Sequence, residues 1–203
     1  MDCHAKSRGR VSASGCRLPH LLDVVRAPYP SQYEKEFFEM EGSRIFLRPI
    51  KPEDARLLAE FFNTLSRQTI LNRFLRRIDI IPAEWIRRFT CIDYDRDVAM
   101  VAAEETDAGE RILGVCRIMR YPFCNKGEIA VVVGDQWQGR GIGTKLLETS
   151  IDIARALGIR SLWAVASANN QQVLDLAEKF GFAIKIDVGS GLCELEMTLA
   201  PEG

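Results

Sequence analysis

The chain has 203 residues, 47% hydrophobic and 27% charged, with a formal net charge of −1 at pH 7. That composition suits one ordinary globular domain with some additional length, and the near-balance of charge argues against nucleic acid as the main partner. No apolar run approaches the roughly 20 residues needed to cross a bilayer. The opening MDCHAKSRGRVSASGCRLPH lacks the continuous apolar core of a signal peptide.

Six cysteines, Cys3, Cys16, Cys91, Cys116, Cys124 and Cys193, are scattered without a CxxC pair. Cys3-His4 and Cys16 with His20 match no compact zinc module. The cysteines read as reduced thiols in a cytoplasmic protein, with no metal and no membrane partner.

Residues 1 to about 26 are Ser/Gly/Arg-rich and aperiodic, a leader expected to be loosely structured. APYPSQYEKEFFEMEG then reads as a linker that runs into an added strand. This divides the chain into a leader and linker over 1–42 and a compact domain over 43–203. SRIFLRPI alternates as a strand does. PEDARLLAEFFNTL opens on Pro52 with Glu53 and Asp54 in its first turn, a helix start. SRQTILNRFLRR and the proline-led PAEWIRRFTCI predict two further helices.

VAMVAAEE and ILGVCRIMR, joined by TDAGER, predict a hairpin. GEIAVVV is another strand. GRGIGTKLLETSIDIARALG is a long amphipathic helix stopped by Gly158. IRSLWAVAS is a strand, NNQQVLDLAEKF a helix closed by Gly181, and FAIKIDV with LCELEMTL a last strand pair. The order is β, α, α, α, β, β, β, α, β, α, β, β.

Gly134, Gly139, Gly141 and Gly143 crowd the turn between an apolar strand and a helix, a place where an anion can sit on unpaired N–H groups. Gly134 and Gly139 have the spacing of a phosphate-binding P-loop. Arg140-Gly141 then stands where the lysine and the hydroxyl are needed. A dinucleotide loop fails as well, because Thr144 follows Gly139 and Gly141 where a third glycine belongs, and the loop lies mid-chain. The alternative without a ligand is a tight strand-to-helix connection.

Gln138-x-x-Gly141-x-Gly143, with Asn170 leading a helix that ends in EKFGF, resembles the GNAT N-acetyltransferase superfamily, across roughly residues 43 to 200. The resemblance implies an α/β (α+β) GNAT fold, a mixed, mostly antiparallel central sheet of six to seven strands flanked by helices. It implies an enzyme using acetyl-CoA. The backbone of Val131, Val132 and Val133 would face the pantetheine arm. Gln138, Gly139, Arg140, Gly141, Gly143 and Thr144 would form the pyrophosphate loop, and Asn170 would bond the pantetheine or a bridging water. A helix N-cap is the other reading of Asn170.

FLRPIKPEDARLLAEFFNTLS, Arg73-Phe74 and IDYDRDVAMVA are similar to the acetyltransferase domain of bacterial Pat-type protein lysine acetyltransferases. APYPSQYE is similar to the junction where larger members carry an acyl-CoA synthetase-like region. The chain is then either a shortened one or a member without that region. This resemblance implies a protein substrate with an exposed lysine, plausibly an acyl-CoA synthetase. A small-amine acceptor and an acetyl-CoA-sensing module without turnover are the alternatives.

A lysine amine is almost fully protonated at neutral pH, so transfer needs a general base. Glu128, at the head of the strand feeding the glycine loop, is the candidate; a surface glutamate opening a strand is the other reading. Many family members place a tyrosine acid where this chain has Ala177, so that acid is missing. A backbone amide near Val131 is placed to donate to the thioester carbonyl. Asp93, Asp95 and Asp97 form either an acidic surface for a basic substrate or a solvated turn. Trp85 and Trp137 read as packing residues.

Overall fold

The computed structural model describes residues 28–199, apart from 41–42 and 122–123. The leader expected at 1–26, with Cys3, His4, Cys16 and His20, lies outside the described residues.

The elements follow the predicted order. β1 (Lys35–Met40) and β2 (Ser43–Pro49) precede a 3₁₀ turn at Pro52–Asp54 and helices α1 (Ala55–Thr64), α2 (Arg67–Phe74) and α3 (Ala83–Thr90). β3 (Val98–Thr106), β4 (Gly109–Arg120) and β5 (Lys126–Val133) form the meander. Then come α4 (Ile142–Ala156), β6 (Ser161–Ser167), α5 (Gln171–Lys179), β7 (Ala183–Asp187) and β8 (Leu192–Thr198). They build one sheet of eight strands in the order β1-β2-β3-β4-β5-β6-β8-β7. The eighth strand, beyond the six to seven expected, is the added strand β1, which pairs antiparallel with β2.

Strand alternation sends side chains to two cores. Ile45, Leu47, Met100, Ile118 and Ile129 pack against Ile142, Leu146 and Ile151 of α4 and Leu174 of α5. Ala99, Val101, Val115 and Val132 point the other way, against Leu58 and Phe62 of α1, Ile70 of α2 and Ile86 of α3. β3 is buried from Val98 to Glu104, since helices cover both of its faces. That explains why VAMVAA is apolar throughout, where a half-exposed strand would alternate.

Arg48 closes the junction of β2, α1 and β4. Its guanidinium is bidentate to Asp54 at 2.6 and 2.8 Å and donates to Glu110 at 3.0 and 2.8 Å. Asp54 also accepts from the N–H of Lys51 at 2.9 Å, which fixes the entry into α1. This buried cation is fully matched by carboxylates.

Candidate active site

Every neighbouring strand pair is antiparallel except β5 and β6. These two run parallel and pair only from Lys126↔Ser161 to Glu128↔Trp163, then part. Gly134 N–H donates to the carbonyl of Leu113, and Tyr121 N–H to that of Lys126. Those bonds set the alternation of the β4–β5 ladder. Even-numbered residues of β5 spend their backbone groups on β4, and Ile129, Val131 and Val133 turn theirs toward β6. Past Glu128 that edge of β5 has no strand beside it. It is a ready template for an extended ligand, as expected for Val131 to Val133.

The edge runs into the glycine loop. A 3₁₀ turn at Asp135–Trp137 follows β5, and the Gln138 side-chain amide donates to Val133 O at 3.0 Å. Gly139 and Gly141 have φ of +73° and +87°, and Gly141 caps α4. A Cβ at either position would meet nothing within 4 Å. The requirement for glycine here is the left-handed backbone, which turns successive amides toward open space at the start of a 15-residue helix.

Beside the loop lies a cleft of about 530 Å³. Val131, Val132, Val133, Gln138, Gly139, Gly141, Gly143, Thr144 and Asn170 all line it. Arg140 is not among the lining residues; its guanidinium lies 5.2 Å from the Trp137 ring centre, over the ring. Asn170 is the N-cap of α5, its Oδ1 accepting from Val173 N–H at 3.4 Å. The cap uses the oxygen, and the residue still borders the cleft.

The opposite wall was not foreseen from sequence. Thr69, Asn72 and Arg73 of α2 line the same cleft. Asp135 holds that helix in place, accepting from Ser66 N–H at 2.8 Å, Ser66 Oγ at 2.6 Å and Thr69 Oγ1 at 2.8 Å. Burial works to raise the Asp135 pKa, but the Ser66 and Thr69 hydrogen bonds outweigh it and hold the carboxyl below its ordinary value. Ser66 with Thr69 three residues on was a legible capping pattern. The partner across the fold was not.

Glu128 sits where β5 and β6 part, half-buried, facing the α1–α3 side with Ala130 and Val132. Tyr121 Oη lies 3.5 Å from Glu128 Oε2, and the Tyr121 ring stacks on Trp163 with centroids 6.1 Å apart. Ala177 lines a smaller cavity of about 80 Å³ between the parted strands and α5. Beneath lie two perturbed groups on β4. Burial, with the nearby Arg73 charge, lowers Arg117 to about 10, and burial pushes the Cys116 thiol up to about 11.

Trp85 packs with Phe74 and Phe89, as expected of a packing residue. Asp97 accepts from the N–H of Arg120, and Asp93 Oδ1 from that of Asp95, so the acidic segment is a hydrogen-bonded turn. Among the described residues no group of three or more His, Cys, Asp or Glu side chains could hold a metal. No helix there is long and apolar enough to cross a membrane.

The family model for the acetyltransferase (GNAT) domain matches residues 44–183. A Pseudomonas aeruginosa acetyltransferase is 33% identical over 144 residues, 70% of this chain and 76% of that protein. The acetyltransferase Pat of Mycolicibacterium smegmatis is 25% identical over 160 residues, covering 77% of this chain and 46% of Pat. The crystal structure of the GNAT domain of S. lividans Pat superposes with a TM-score of 0.74 at 28% identity, covering 84% of this chain and 99% of that one. A strand pair that parts beside a glycine-started helix, and these likenesses, have one common explanation: the chain belongs to the GNAT acetyltransferase family.

Proposed function

We propose that the chain transfers the acetyl group of acetyl-CoA to the side-chain amine of a lysine on a protein. The observation that carries the donor half is the unpaired edge of β5 beyond Glu128, leading straight to the amides of Gly139 to Thr144. An extended arm with amide groups fits the edge, and a pyrophosphate fits the helix start. Coenzyme A has both.

In this reading Glu128 takes the amine proton, directly or through one water, and the nitrogen attacks the thioester carbon. The C–N bond forms, the C–S bond breaks, and its electron pair leaves on sulfur. The Val131 N–H, turned into the gap, donates to the carbonyl oxygen.

The acceptor half rests on the surface around Glu128. Tyr121 and Trp163 present stacked rings beside the carboxylate, and Glu194 and Glu196 continue the same sheet face on β8, exposed to solvent. Lys126 lies 3.7 Å from Glu196 and Lys185 3.9 Å from Glu194, and the lysines partly offset them. Aromatic faces and carboxylates attract an ammonium group, and an open sheet face admits a protein loop. The similarity to Pat-type domains points the same way, with an acyl-CoA synthetase as a plausible substrate.

The deciding experiment offers acetyl-CoA with lysine-bearing proteins, an acyl-CoA synthetase among them, alongside polyamines and free amino acids, and follows acetyl incorporation by mass spectrometry. Fast modification of protein lysines is expected. Faster transfer to a small amine than to any protein would overturn the acceptor assignment, and tight binding of acetyl-CoA without transfer would leave a sensing module.

A further inference from the structure

The structure holds a second buried arginine environment that contrasts with Arg48. Arg117 is 8% exposed, and its Nε has no hydrogen-bond partner among the described residues. Arg73, on α2, shares a cavity with it, lined also by Phe62, Phe89, Ala130 and Val132. Among the described residues neither guanidinium has a carboxylate within ion-pairing distance. Of the two, Arg117 is the buried one and donates to the Phe89 carbonyl, whereas Arg73 is only partly buried, with Glu128 as the nearest charge acting on it; neither is held in a carboxylate pair as Arg48 is.

Arg73 has the more telling position. It lines the cleft beside the glycine loop, the smaller cavity between β5 and β6, and the cavity over Arg117. Among the described residues no other borders all three. They meet around Ala130, Val131 and Val132, where an acyl group carried along the β5 edge reaches the Glu128 side of the sheet. In the cavity between the strands, Arg73 stands on the α2 wall and Ala177 on the α5 wall. The protein therefore brings a positive charge to the cavity that Ala177 lines, where the acid of many family members is missing.

We infer that Arg73 is a catalytic residue whose guanidinium pairs with the thiolate of coenzyme A as the C–S bond breaks, in place of a proton-donating acid. The inference rests on the acetyl-CoA reading above. The electron pair of the C–S bond goes to sulfur and is stabilised there by the cation. The amine proton goes to Glu128, and the thiolate takes its proton from solvent after release. The charged and titratable groups around Arg73 are Glu128 on β5 and Cys116 and Arg117 on β4. Burial lowers the Arg73 pKa, while Glu128 and Cys116 act to raise it.

The test is the ionisation of bound coenzyme A, read as thiolate absorbance in the ultraviolet from about pH 6 to about 10. The signal with desulfo-coenzyme A is subtracted to remove the protein's own cysteines. Wild type should ionise the bound thiol near pH 6 to 7, against about 8.5 for a free thiol. Arg73→Met should return it to about 8.5 or above, and Arg73→Lys, which keeps the charge, should fall between. In turnover, Arg73→Met should lose roughly 10²–10³ in kcat, with the KM for acetyl-CoA changed by less than about threefold. A bound thiol that titrates alike in wild type and Arg73→Met, in proteins that both bind the cofactor by calorimetry, overturns the role of Arg73 and leaves the acetyltransferase reading intact. Failure of wild type to bind coenzyme A overturns both.

Discussion

Asp135 accepts two hydrogen bonds from Ser66, one from its backbone N–H at 2.8 Å and one from its hydroxyl at 2.6 Å, across 69 positions of sequence. The contact ties the turn after β5, which leads into the glycine loop, to the cap of the helix that carries Arg73. Asp135→Ala should loosen α2 and weaken acetyl-CoA binding by about five- to twentyfold, with a stability loss of about 1 kcal/mol at this exposed site. Calorimetry and urea unfolding measure the two effects.

The same latch has a pH signature. The folded-state pKa of Asp135 is depressed, so its stabilising contribution is present above the unfolded value of about 3.9 and is lost as pH falls through the folded value. Asp135→Asn should therefore lower the urea midpoint at pH 7, and the gap to wild type should close as pH falls through the depressed folded-state pKa. An undiminished gap at acid pH would show that the carboxylate charge is not what holds Ser66 and Thr69.

Gly141→Ala tests the loop without a clash, because a Cβ there meets nothing within 4 Å. At φ +87° an alanine costs about 1–2 kcal/mol of folding stability. On the proposed cofactor reading, the affinity for acetyl-CoA should fall by more than the change in stability accounts for, since a methyl group would then stand between the backbone and the pyrophosphate. Wild-type affinity in the folded variant would remove the loop from the cofactor site.

Glu128→Gln keeps the shape of the side chain and removes its basicity. Turnover should drop by about 10²–10⁴ with acetyl-CoA affinity nearly constant. The deficit should shrink as pH rises, because more acceptor amine arrives already neutral. A pH–rate profile parallel to wild type at comparable rates would return Glu128 to the status of a surface residue.

Arg48→Met leaves Asp54, 1% exposed, without its principal counter-charge. The expected cost is about 3–5 kcal/mol, a drop in Tm of roughly 6–20 °C for a domain of this size. Thermal unfolding checks it. The acetyl-CoA KM of the surviving folded protein should stay at the wild-type value, because Arg48 borders none of the cavities around β5.

The predicted elements all have counterparts in the structure, and the reason is local. Pro52 and Pro82 mark helix starts, Gly158 and Gly181 adopt positive φ just past helix ends, and strand alternation is written in SRIFLRP. The glycine loop was legible for the same reason, since a left-handed backbone at 139 and 141 leaves glycine in the sequence. So was the likeness of Gln138-x-x-Gly141-x-Gly143 and Asn170 to one family.

Tertiary structure decided what local rules cannot reach. Nothing in LWAVAS says that β6 pairs with β5 for three residues and then parts from it, because where two strands part is set by long-range packing, here with α2 and α5 in the cores on opposite faces. Nor does the sequence place β8 between β6 and β7, a choice made by long-range pairing. Thr69 and Asp135 joined the site through contacts spanning 66 and 69 positions, which no periodicity records, and Arg73 came with the helix they hold. Local propensity determined the elements and the glycine turn of this protein. The packing of helices on both faces of one sheet decided where the strands open, and which cation faces the opening.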